Sequence, residues 1–484
     1  MAPRGTITAQ VSWELAVSRR PRVGAVIGER IRRWMPQSLV EWLWWPVFAL
    51  CAFLPSSRTP VLNIEGLLLT LTDLVLAALA IVSLPLLIIN RKRYHRSFRW
   101  TFLPFTALVL YAVATTFVLD DFRQYYFPYL IFPMAMAWVA MVVGSTLVSS
   151  TKPERLKDLA LRLCASAAVV AVVYISVSWL MPLGLRAYED VDPLFGVVRI
   201  GGPMAQPTDL PAFFIITVSF LLLGIKRIQD SIFPMALATV LTVGLLLCGS
   251  RAGGVSLLLF AVVVALRGSS LRARLAVLAV TFLATVIVFQ VALPQRFMSF
   301  EDTYRTMSYE TGLAAWTASP RTIVFGQGYG QVWPWYMKSI HLALGEDRSY
   351  QFVVRTRFGR TVFNPHSVYV NLLGETGVLG LGLLLLALGS QFWPAIKAAS
   401  SGGLAPRLLP GLVASLVIPA FSAMLLKYFA LSTVWWTFFF IMAADVSMQP
   451  KSAPRQASAS PKSRPGQQVG VRDLRGGHFR PRPA

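Results

Sequence analysis

Apolar blocks of roughly 17–25 residues, such as Leu67 to Ile89 and Leu275 to Pro294, recur along most of this chain. A helix of about 20 residues crosses the hydrocarbon core of a bilayer. Backbone polar groups inside lipid must bond within their own segment, so each block is expected to be a helix. Spans are expected near 39–55, 66–90, 100–119, 126–149, 159–181, 210–226, 231–249, 252–266, 275–294, 366–390, 409–426 and 430–448. The expected fold is all-α, a polytopic membrane helix bundle of about 12 transmembrane helices with one large extracytoplasmic loop. Composition agrees: 14% of the 484 residues are charged, where soluble chains carry about 25%.

A net charge of +23 raises nucleic acid as a partner, but the distribution argues for orientation in a membrane instead. With both termini inside, the cytoplasmic segments are 1–38, 91–99, 150–158, 227–230, 267–274, 391–408 and 449–484. They and the flanking span ends hold about 31 of the 45 Lys and Arg and about 6 of the 22 acids, the asymmetry that orients membrane proteins. Residues 1–38 read as a basic cytoplasmic arm. Residues 449–484, rich in Pro, Ser, Gly and Arg, read as a disordered cytoplasmic tail. Spans one to nine then occupy 39–294, the large loop 295–365, and spans ten to twelve 366–448. Cys51, Cys164 and Cys248 fall in or at the ends of different spans, with neither a disulfide framework nor metal-ligand spacing.

Two outside segments exceed hairpin length, 182–209 and 295–365, and long ordered loops are where function concentrates. The larger one contains a helical stretch from about Tyr304 to Ala318, then Phe325-Gly326-Gln327-Gly328-Tyr329-Gly330 and Trp333-Pro334-Trp335-Tyr336. It reads either as an amphipathic segment on the outer interface or as a small helical cap on the bundle. The glycine run is weak as a phosphate loop, because no strand-to-helix context surrounds it.

Basic residues gather at outside span ends. Arg251 lies in Cys248-Gly249-Ser250-Arg251-Ala252-Gly253-Gly254, a tight turn between the seventh and eighth spans. Arg199 opens the stretch to Thr208 before the sixth span, Arg321 precedes the glycine run, and His366 begins the tenth span. Glu375 lies nine residues further on, about 13 Å deeper along a straight helix. A carboxylate within a span is costly unless paired or functional, and Asp73 in the second span raises the same question. Singly, each Arg could only snorkel to lipid phosphate and the His could only cap a helix. Together they suit a lipid-linked diphosphate, because guanidinium forks pair with phosphate oxygens. Glu189-Asp190-Val191-Asp192 contains an Asp-x-Asp pair, but a solvated acidic loop is the plainer reading, so no metal and no cofactor is expected.

These elements resemble the O-antigen ligase and O-antigen polymerase superfamily of bacterial membrane glycosyltransferases. The similar elements are Arg199 to Thr208, Ser250-Arg251-Ala252-Gly253, Arg321 to Gly330, and Pro365-His366-Ser367-Val368-Tyr369 continuing to Glu375-Thr376-Gly377-Val378-Leu379-Gly380. With the span pattern they cover roughly 60–445. Ser367 stands where the family commonly has Asn, and Pro207-Thr208 where it commonly has Pro-Asn. The resemblance implies a multi-pass protein of the bacterial inner membrane that moves a glycan from undecaprenyl diphosphate to an acceptor hydroxyl, the acceptor being a glycan, lipid or protein. It implies His366, Arg251 and Arg199 as catalytic residues, and Arg321, Tyr369 and Glu375 as substrate-binding ones. The alternative is a transporter or channel for a small anion such as bicarbonate, for which Asp73 and Glu375 would suit ion coupling.

Overall fold

The structure is a computed structural model. It describes residues 39–45, 60–64, 67–89, 91–118, 127–180, 189–191, 198–200, 210–225, 232–248, 250–267, 270–291, 303–333, 353–362, 366–398, 403–422, 425 and 429–449. By contacts the chain divides into Met1–Ser447 and Met448–Ala484, and the architecture that follows is that of the first unit. The expected arm at 1–38, residues 450–484 of the expected tail and residues 46–55 of the first expected span lie outside the described residues.

The described residues are all-α apart from three two-stranded antiparallel hairpins. Fourteen α-helices follow in order: α1 (Leu71–Ile89), α2 (Arg91–Val118), α3 (Phe127–Ser150), α4 (Leu156–Leu180), α5 (Leu210–Leu222), α6 (Ile232–Leu247), α7 (Arg251–Leu266), α8 (Leu271–Val291), α9 (Thr303–Thr317), α10 (Pro320–Phe325), α11 (Val368–Lys397), α12 (Ala405–Ser415), α13 (Ile418–Phe421) and α14 (Phe429–Met448). The hairpins pair β1 (Pro60–Ile64) with β2 (Leu67–Thr70), β3 (Glu189–Val191) with β4 (Val198–Ile200), and β5 (Val353–Thr356) with β6 (Gly359–Val362). Residues 39–45 are also helical.

Among the described residues, four helices are long and apolar enough to cross a membrane: Ser97–Thr116 within α2, Ile131–Ser150 within α3, α11, and Leu431–Met448 within α14. Several such helices in one chain point to a multi-pass membrane protein. The surface argues the same way. Ile81, Leu103, Leu110, Phe233, Leu278, Phe282 and Leu386 are all exposed, and apolar faces of that extent belong against lipid.

The second expected span, 66–90, begins differently from the reading above. Leu67 to Thr70 pair with Pro60 to Ile64 as a strand, and the helix starts at Leu71. A short apolar run satisfies a strand as well as a helix. Asp73 therefore lies in the first turn of α1, where a carboxylate complements the helix dipole, rather than deep within a span.

The core is aromatic and centres on α14. Trp435, Trp436, Phe438, Phe439 and Phe440 are fully buried, and Phe98, Phe102 and Phe105 of α2 pack on their rings. Small residues allow helices to approach closely, as in other membrane bundles. A Cβ on Gly144 of α3 would press on the Thr437 backbone, and one on Gly411 of α12 on Ile216 and Ser219 of α5. Polar side chains join helices as well. Ser97 of α2 donates to Gln391 of α11 at 3.1 Å, while the Gln391 amide donates to the Ser97 carbonyl at 2.8 Å.

One buried ion pair ties residues 39–45 to the bundle. Arg162 Nη1 of α4 donates to Glu41 Oε2 at 3.1 Å, with both residues under 5% exposed. Thr151 Oγ1 donates to the other Glu41 oxygen at 3.3 Å. Removing one partner of a buried pair strands the other charge. Glu41→Ala is expected to destabilise the protein by about 3–5 kcal/mol, read as a lowered unfolding midpoint in detergent. Glu41→Ala with Arg162→Leu is expected to recover most of that loss.

Candidate functional site

The region 303–422 is organised around a break in α11. Val368–Lys397 runs for 30 residues, but Gly377 has φ 66° and ψ −166°, so two helices meet there. The part after the break, residues 378–397, has the length of one bilayer crossing, about 20 residues. The part before it, 368–376, is a short separate half-helix carrying Tyr369, Asn371 and Glu375. Glu375 thus lies at the end of a half-helix, and the straight path expected from His366 into the membrane is interrupted.

The break frees the carbonyls of Gly374 and Glu375, which a continuous helix would match with the N–H groups four residues on. The segment after α10 supplies the missing donors. Gln327 N–H donates to Gly374 O at 3.0 Å and Gly328 N–H to Glu375 O at 2.9 Å. The Glu375 side chain is fully buried. Its Oε1 accepts from the N–H of Trp333 at 3.1 Å and of Val332 at 3.3 Å. Two glycines make this crossing possible. A Cβ on Gly377 would run into the Val324 carbonyl, and one on Gly326 (φ 71°) into the Glu375 carbonyl. The glycine run is therefore a packing device whose N–H groups at Gln327 and Gly328 are already engaged by α11.

The same segment is fastened to α2. The Tyr111 hydroxyl donates to Phe325 O at 2.6 Å, Tyr329 N–H to Thr115 Oγ1 at 3.3 Å, and Thr116 Oγ1 to Tyr329 O at 3.4 Å. Burial, and then the Glu375 carboxylate, hold the Tyr329 phenol well above its ordinary pKa, so it stays protonated. α9, expected from about Tyr304 to Ala318, is a cap on α11. Gly312 meets Val370 and the Trp333 ring, and Ala315, Val332 and Trp333 form a small core of their own.

A second hub is the stretch 416–422. The Tyr369 hydroxyl donates to Leu416 O at 2.8 Å, the Tyr309 hydroxyl of α9 to Ala420 O at 2.6 Å, and Val368 N–H to Ser422 O at 3.2 Å. The Arg305 guanidinium lies 5.9 Å from the Phe421 ring centroid. α13 within this stretch packs against both α7 and α11, so one short element touches the helix that starts at Arg251 and the helix whose N-cap follows His366.

Arg251 is the first residue of α7, half-buried, after the N-cap Ser250, whose hydroxyl accepts from Gly253 N–H at 3.2 Å. Gly253 lies tight against Pro211, which brings the start of α7 to the start of α5. His366 is half-buried and directly precedes Ser367, the N-cap of α11. Both residues thus stand at helix N-termini, where the backbone adds positive potential. Arg321 is exposed at the second position of α10 and acts electrostatically on Tyr111. Arg199 lies on β4 in register with Asp190 of β3. The rest of the expected stretch to Thr208, with Asp192 and Pro365, lies outside the described residues.

Sequence reasoning passed over Tyr111 and Arg305, and it named Asn371 and Trp333 only as members of longer stretches. Their only sequence signal is a polar or aromatic side chain within an apolar or loop segment. No protein-family profile matches the chain, and no curated protein shows significant similarity to it.

If Glu375 holds the loop as described, Glu375→Ala orphans two buried N–H groups, at about 1–3 kcal/mol each. The expected result is a lower unfolding midpoint and faster proteolysis within 326–333. Glu375→Gln keeps a carbonyl acceptor and is expected to lose less than half as much.

Proposed function

We propose that this chain is a glycosyltransferase of the O-antigen ligase or polymerase type, working in cell-surface polysaccharide biosynthesis. It takes a glycan from undecaprenyl diphosphate and moves it to an acceptor hydroxyl on the extracytoplasmic face of the bacterial inner membrane. In this reading the bundle has about 12 spans with both termini in the cytoplasm, as the Lys and Arg distribution indicates.

The observation that carries the reading is the siting of Arg251 and His366 at the N-termini of two helices that share α13 as a neighbour. A guanidinium and an imidazole, each reinforced by a helix N-terminus, suit a dianionic leaving group. Charge that develops on the departing diphosphate is stabilised by donors already in position. Arg251 binds the diphosphate, with Arg199 and Arg321 as further cationic partners. His366 positions or deprotonates the acceptor hydroxyl. Sugar–phosphate bond cleavage and glycosidic bond formation then balance, with the hydroxyl proton passing to base or solvent. Glu375 and Tyr369 contribute by holding the half-helix that presents His366, since their polar groups already bind Trp333, Val332 and Leu416.

The transporter reading has one observation in its favour, because broken helices often mark ion sites. The carbonyls freed at the α11 break are, however, engaged by Gln327 and Gly328. Asp73 lies in the first turn of α1.

Arg251→Ala and His366→Ala are each expected to lower glycan transfer by about 100-fold or more while membrane insertion stays normal. Lipid-linked glycans are expected to accumulate in cells carrying either variant, long chains for a ligase and single repeat units for a polymerase. Unchanged lipid-linked glycans in both would sink the proposal.

A further inference from the structure

Asn371 is fully buried, and among the described residues neither its Oδ1 nor its Nδ2 has a hydrogen-bond partner. Folded proteins rarely leave a side-chain amide in that condition without a reason. Its neighbours in sequence, Val368 and Leu372, are themselves fully buried and apolar, so a leucine would suit the local packing better than an amide. The position is also informative. Asn371 lies five residues after His366 and four before Glu375, and an i, i+4 spacing places it on the Glu375 face of the half-helix. That face meets the segment ending at Trp333, whose indole Nε1 is likewise buried without a partner. The Trp333 ring rests against Gly374, three residues after Asn371.

The chemistry of the unmatched atoms narrows what could satisfy them. A carboxamide offers a donor and an acceptor, and here both are open. A diphosphate has only acceptor oxygens at neutral pH and could pair with Nδ2 but not with Oδ1. A sugar hydroxyl both donates and accepts, so a pair of neighbouring hydroxyls satisfies both ends of the amide. The Trp333 indole adds a second donor for another sugar oxygen.

We infer that Asn371 is a sugar-binding residue, holding hydroxyls of the glycan on the half-helix that begins beside His366. The inference rests on the glycosyl-transfer reading and assigns a division of labour within it. The cationic helix ends take the diphosphate, and the Asn371 face takes the sugar. Contact requires the side chains over Asn371 to part as the glycan enters past half-buried His366.

The test is Asn371→Leu in the full-length protein reconstituted in lipid, read in three ways. The unfolding midpoint is expected to hold or rise, because an unmatched amide is replaced by an apolar group of similar size. Transfer from the native undecaprenyl-diphosphate glycan is expected to fall roughly 10–100-fold. Binding of undecaprenyl diphosphate carrying no sugar is expected to stay at the wild-type level. Asn371→Ser, which keeps a hydroxyl, is expected to lose less transfer than the leucine variant, and Asn371→Ala carries the test if the leucine variant does not fold. Unchanged transfer in folded Asn371→Leu, or in folded Asn371→Ala where the leucine variant does not fold, would mean that a trapped water satisfies the amide, and the inference fails. A lowered midpoint with proportional loss of transfer would mean a structural role, which also overturns it. Loss of sugar-free diphosphate binding would assign the residue to the wrong part of the donor. A wild-type protein that transfers no glycan at all overturns the functional reading itself, whereas an active wild type beside an active Asn371→Leu overturns only the role of Asn371.

Discussion

The helix break at Gly377 is the constraint on which the rest of the candidate site depends. A helix interrupted inside a packed protein must find partners for the carbonyls it frees. Here the backbone of Gln327 and Gly328 supplies them, and the Glu375 carboxylate returns the favour to Val332 and Trp333. The two backbones approach so closely that each needs a glycine at the crossing, Gly326 on one and Gly377 on the other. From this contact follow the position of α10, the seating of Trp333 against Gly312 and Gly374, and the direction of the half-helix that starts beside His366.

That arrangement sorts the polar residues into two groups. Glu375, Tyr369, Gln327 and Tyr309 are tied to backbone groups and hold the architecture. Gln327, for example, donates to Ala315 O at 2.6 Å and accepts from Arg357 at 2.9 Å. Arg251 and His366 stand at helix starts, and the amide of Asn371 is matched by no group among the described residues.

The helices outside this region follow membrane packing rules. Glycines at positions 144, 253 and 411 lie where another helix comes closest, and large apolar side chains such as Phe282 and Leu386 face outward. α14, apolar all round, takes the centre rather than the rim, as a helix with no polar face does. The buried Arg162–Glu41 pair is an exception to the apolar interior. It uses one charge to neutralise another and so fixes residues 39–45 against α4.

Much of the fold was legible in the chain. Apolar blocks such as 126–149 and 430–448 became α3 and α14 because length and hydropathy alone decide whether a segment suits a bilayer. The helix expected from about Tyr304 to Ala318 emerged as Thr303–Thr317. The start of α1 was not legible, since Leu67 to Thr70 serve a strand as readily as a helix and their pairing with Pro60 to Ile64 decided between them. The break in α11 was hidden for a similar reason. Gly377 looks like one more small residue in a glycine-rich span, and its left-handed backbone depends on a partner segment some 50 positions earlier in the sequence. Sequence by itself determined which segments are apolar helices and which side chains are available for chemistry, because those are local properties. Only the tertiary structure decided that Glu375 holds a loop, that the helices starting at Arg251 and just after His366 share α13 as a neighbour, and that Asn371 is unmatched among the described residues, because burial and hydrogen-bond partners come from residues distant in the chain.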